Sequence, residues 1–173
     1  MQLPPPSIFS FQSEEIFHPE SKFYQAESIG ITQAEIFTPA VLRNFQGRQA
    51  FIKSERCKGS DVIEFINSWK SAEVFWNLEY LKIETTDYQF SRDQILNAIG
   101  TKYIDGTKTP PTHTLPQIYI EYPDAEPFTE PITSYAYVVR ESDNWVASVE
   151  ILGKKFSFGV WNKTENEFLG MMD

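Results

Sequence analysis

Cysteine is almost absent: Cys57 is the single one in the chain. An intramolecular disulfide framework is therefore excluded, and a reducing, cytoplasmic setting is expected. Long apolar runs are missing too. No stretch approaches the roughly 20 residues that a bilayer-spanning helix needs. The opening MQLPPPSIFS has no basic region followed by an apolar core, so neither secretion nor membrane contact is expected. Histidine is scarce, and His18 and His113 stand far apart without the neighbours a zinc site requires, so no metal is expected. Positive charge is the minority sign: 15 Lys and Arg face 24 Asp and Glu, for a net charge of −9. A backbone-neutralising surface for nucleic acid is not expected from that balance. A phosphate-cradling glycine loop, a G-x-S-x-G elbow and a His-Glu-x-x-His helix are all missing, which leaves hydrolase and nucleotide-dependent chemistry without support.

What is present describes a folding α+β chain. Apolar residues make up 41% and aromatics 15% of 173 residues, enough for one core with extensions at both ends. Residues 1–48 are rich in Pro and Phe and show no sustained helical period. Their two Ile-Phe pairs, in Glu15-Ile16-Phe17-His18-Pro19 and Glu35-Ile36-Phe37-Thr38-Pro39, read as extended segments packing on the main body, each ended by its proline. Gln49 to Lys53 reads as a strand, and Val62, Ile63, Phe65, Ile66 and Trp69 share one face of a helix N-capped by Ser60 or Asp61. A second strand follows over Leu78 to Glu84, then a helix over Ser91 to Gly100 with cap and terminal glycine. Gln117 to Tyr122 reads as a third strand. Beyond Pro131 an antiparallel meander is expected over Tyr135 to Arg140, Trp145 to Leu152 and Lys155 to Trp161, with turns at Ser142-Asp143-Asn144 and Gly153-Lys154.

Chemistry, if any, runs through Cys57. It precedes the helix and lies in the locally positive stretch of Arg43, Arg48, Lys53, Arg56 and Lys58, which contains one acid, Glu55. A helix start and nearby cations favour thiolate over thiol; the alternative reading of Cys57 is a half-buried structural thiol without chemistry. His113, three residues before Pro116, reads as a solvated loop residue, with an approach to the Cys57 region as the alternative.

The order Phe51-Ile52-Lys53, Cys57-Lys58-Gly59-Ser60 and Thr114-Leu115-Pro116-Gln117-Ile118 resembles the glutaredoxin branch of the thioredoxin-like proteins. The resemblance covers residues 49–122. It implies a thioredoxin-like mixed sheet with flanking helices over 49–140, an N-terminal arm over 1–48 and a C-terminal β addition over 141–173. It implies Cys57 as a monothiol nucleophile, with Ser60 where dithiol members carry the resolving thiol. Lys53, Arg56 and Lys58 would support it electrostatically, while Thr114, Leu115 and a cis Pro116 hold glutathione beside it. Where the family has a Gly-Gly turn, this chain has Tyr122-Pro123-Asp124-Ala125-Glu126-Pro127. That departure, together with the large appended β-region, supports a second expectation from another class: a non-catalytic protein-binding or inhibitory module on a degenerate scaffold of the same kind.

Overall fold

Short runs of β-branched and aromatic residues alternate sides along most strands of this protein, and that alternation builds a sheet with two buried faces. The computed structural model describes residues 7–8, 18–32, 38–55, 57–72, 74–115 and 130–172. Among the described residues the strands are β1 (Ser7–Ile8), β2 (Ser28–Thr32), β3 (Gln49–Ser54), β4 (Tyr80–Thr85), β5 (Lys102–Tyr103), β6 (Thr112–His113), β7 (Ile132–Thr133), β8 (Ala136–Val139), β9 (Trp145–Leu152) and β10 (Lys155–Thr164). The helices are α1 (Thr38–Asn44), α2 (Gly59–Lys70), α3 (Arg92–Ala98) and α4 (Glu165–Leu169).

Eight strands form one mixed sheet in the order β1-β2-β3-β4-β10-β9-β8-β5. β1 to β4 run parallel, as the helical crossovers α1 and α2 require. β8, β9 and β10 make the expected antiparallel meander, closed by tight turns in which Asn144 and Gly153 take positive φ. The meander does not trail off an edge. Its last strand inserts beside β4, antiparallel, with Phe158 opposite Leu81.

One face carries Ala50, Ile52, Leu81, Ile83, Phe156, Phe158, Val149 and Val138 against Val62, Phe65, Ile66 and Trp69 of α2 and Ile95 and Leu96 of α3. The other face carries Phe51 and Tyr80, covered by Ile132 of the small β6–β7 ribbon and by Leu115. Farther along that face Tyr137, Val146 and Trp161 pack on Phe168 of α4.

The mixture of helices with a mixed sheet is as expected, and the core elements fall within two residues of their expected ends, except that β10 runs three residues beyond Trp161 to Thr164. The N-terminal reading needs correction. Pro39 stands in the first turn of α1 instead of ending an extended segment, a position where its missing N–H costs nothing. Ser28–Thr32 is an internal strand paired with β3. The Ile16-Phe17 and Ile36-Phe37 pairs, Arg56, Pro116 and the third strand expected at 117–122 lie outside the described residues.

Candidate functional site

β3 and β4 are parallel neighbours, so their carboxyl ends open on the same side, and in parallel sheets that is where crevices for ligands form. Here the loop after β3, the loop after β4 and the starts of α2 and α3 enclose a cleft of about 500 Å³. Gly59, Ile63 and Ile95 give it an apolar lining, and Glu55, Lys58, Ser60, Asp87, Tyr88, Ser91 and Gln94 complete its wall. Gly59 faces Ile95 across this wall, where a Cβ would meet it in ordinary contact at 3.4 Å.

Cys57 belongs to the cleft wall yet is 0% exposed, packed within the cluster that α2 makes with the sheet. Its Sγ lies 3.8 Å from the Lys58 carbonyl oxygen. Burial, with a smaller contribution from the negative charge of Asp61, pushes the thiol up to about 12. The expected helix-start effect is therefore outweighed by desolvation. The cap of α2 explains part of this. The N-cap is Lys58, not Ser60 or Asp61, and the Asp61 carboxylate accepts from the Lys58 backbone N–H at 2.8 Å. An acid thus occupies the helix start that was expected to favour a thiolate.

Of the residues expected to surround Cys57, the structure gathers Lys58 and Ser60 at the cleft. Lys53 follows Phe51 by two positions on β3, hence on the far face of the sheet, where it is exposed. Thr114 is exposed and Leu115 packs with Phe51 and Tyr80, so neither is brought to Cys57. The basic stretch is dispersed as well: Arg43 pairs with Glu64 at 3.0 Å, and Arg48 pairs with Glu79 through Nε at 2.9 Å.

His113 corrects its solvated-loop reading. It is buried on the far face, stacked on Tyr80 and edge-on to Trp161, with Nε2 donating to the Val160 carbonyl at 2.9 Å. Asp87, Tyr88, Ser91 and Gln94 were not singled out from sequence. Their signal is positional, since they follow a parallel strand and open the next helix. Among the described residues no group of three or more His, Cys, Asp or Glu could hold a metal ion, and no helix is long and apolar enough to cross a membrane.

Comparison with protein-family models, curated proteins and solved structures finds no match to this chain, so its functional reading stands on its own residues.

Proposed function

We propose that this protein is a non-catalytic protein-binding module whose cleft at the carboxyl ends of β3 and β4 receives an apolar side chain of its partner. The observation that carries this reading is the contrast between an open, apolar cleft and a sealed sulfur. A nucleophile must be reached and ionised. Cys57 presents no surface, and burial holds its thiol at about 12. Ile63, Ile95 and Gly59, by contrast, offer an apolar wall ringed by Ser60, Ser91 and Gln94, the composition of a side-chain pocket.

The order β3, Cys57, α2, β4, α3 supports a thioredoxin-like scaffold as the finer reading of the fold. The parallel neighbours on both sides of β3 and the packing of Leu115 on the far face support a version without a glutathione site at Cys57. Glutathione-dependent monothiol chemistry is the competing reading.

Two measurements separate them. Native protein should resist iodoacetamide across pH 6–9 and form no adduct with oxidised glutathione, while the urea-unfolded chain alkylates at the rate of a free thiol. A native alkylation midpoint below about 8.5, together with a glutathione adduct reversed by reduced glutathione, would establish the oxidoreductase instead. Selection of a random phage-displayed peptide library on the wild type should enrich sequences with a shared apolar anchor. Their affinity should fall at least tenfold on Ser60→Trp, which fills the cleft from its rim. Peptides that bind both forms equally would place recognition elsewhere.

A further inference from the structure

The β6–β7 ribbon is held against the sheet by a side chain whose seat is unusually close. His113 lies directly on the backbone of Gly159, where a Cβ would come within 2.7 Å of both Cγ and Nδ1 of the imidazole. A glycine at that register position of β10 is thus what lets the ring descend between Tyr80, at 6.3 Å centroid distance, and Trp161, at 5.1 Å. Nε2 is satisfied by the Val160 carbonyl. Since a carbonyl only accepts, the proton is on Nε2 and Nδ1 carries a lone pair. That Nδ1 is buried with no hydrogen-bond partner among the described residues. The seat fits one protonation state of the ring, because a proton added at Nδ1 would create a buried donor with no acceptor among the described residues and a buried charge with no carboxylate in contact with the ring among them.

We propose that His113 is a protonation latch, which pins the β6–β7 ribbon to the sheet when neutral and lets it lift, uncovering Phe51 and Tyr80, when the ring takes a second proton. The groups facing this region do not cancel the effect. Glu79, just before β4, is engaged by Arg48. Tyr80 donates its hydroxyl to the Glu130 carbonyl at 3.1 Å. The Glu130 carboxylate sits between Lys155, at 3.0 Å, and Lys82, at 3.5 Å. From β9, Glu150 accepts the Thr133 N–H of the ribbon itself. Trp161 donates to Ser148 at 2.8 Å, and Ile132 and Gly159 carry no titratable group.

The sign follows from burial. Desolvation, opposed by the Val160 bond and by Glu79, lowers the imidazole pKa from its ordinary 6.5. The open ribbon therefore binds a proton more readily than the closed one, and the latch holds above 6.5 and weakens below it. At one unit below that value the opening constant rises about tenfold.

The experiment is amide hydrogen exchange of the intact chain at pH 7.5 and 5.5, corrected for intrinsic rates. Protection at residues 112–113 and 132–133 should fall about tenfold, with β3 and β9 interior amides unchanged. His113→Gln, a neutral donor that does not titrate, should remove the pH dependence, whereas Glu150→Gln should leave it in place. Ribbon protection that is the same at both pH values overturns the latch, as does a pH dependence that survives in His113→Gln or vanishes in Glu150→Gln. Should His113→Gln not fold, imidazole resonances of the wild type decide. A His113 midpoint below 6.5 that tracks ribbon opening supports the latch, and a midpoint at or above 6.5, or titration without opening, rejects it.

Discussion

Arg140 is buried and engaged on several sides at once. Its guanidinium is 1% exposed, stacked 4.9–5.3 Å from the ring centroids of Trp145, Trp69 and Trp76, and held by both carboxylate oxygens of Asp143. Burial raises the Asp143 carboxyl, but hydrogen bonds from Arg140 and the Trp145 N–H prevail and hold it below its ordinary value. Asp143→Asn should cost about 3 kcal/mol, because it strands a buried cation. Adding Arg140→Met should recover part of that loss, which urea unfolding of the single and double variants will measure. Gly159→Ala should cost about 1–3 kcal/mol through overlap with the imidazole, and much less when His113 is already Ala. None of this was legible at the residue scale. Arg140 reads in sequence as a polar residue before a Ser-Asp-Asn turn, and a glycine required by a partner 46 positions away leaves no local signal. Cys57 was legible as a position, before a helix and after a strand. Partial burial was legible too, but its completeness was not, because exposure depends on how closely α2 lies on the sheet.

Among the elements, α2 was readable because five apolar residues recur on one face over about two turns, and β9 and β10 because they are long and bounded by strong turns. α1 and β2 escaped for the opposite reason. Seven residues with a proline in the first turn show too little period, and the five-residue Ser-Ile-Gly-Ile-Thr gains its strand character by pairing with β3. The start of α2 also carries a test. Asp61 caps the Lys58 N–H, so Asp61→Ala should lower stability by about 1 kcal/mol. The same change removes the negative charge that helps raise the Cys57 thiol. Its alkylation midpoint, followed by mass analysis under native conditions, should move down. Native reactivity should nonetheless remain far below that of the unfolded chain, since burial is the larger cause.

At the scale of the whole molecule, the titrating groups bracket stability from both sides. Lys155 holds the Glu130 carboxyl below its ordinary value; Glu165, raised by burial, is brought below it by Lys102 and Tyr137. A lowered carboxyl stabilises the fold above its unfolded value, and that contribution is lost as pH falls through the folded one. Burial raises Cys57, Tyr80 and Tyr137 to about 12. Their contribution is complete below the unfolded values of 9.0 and 10.0 and is lost as pH rises beyond them. Glu150, raised by burial, runs against the other carboxyls and blunts the acid limb. Urea midpoints should therefore be highest between about pH 6.5 and 9 and decline on both sides; a midpoint still rising above pH 10 would contradict the burial of these three groups. The class of fold could be read from element order, whereas the sheet order could not, because pairing between distant strands is fixed by packing and not by sequence proximity. Placing β10 between β4 and β9 has a consequence for synthesis. On a translating ribosome β4 is complete some seventy residues before its partner emerges, and during that interval its edge is bare. An unpaired, apolar strand edge is a template for association with other chains. The nascent protein therefore needs either a chaperone on that edge or a delay in assembling β1 to β4 until the last strand arrives to close the gap.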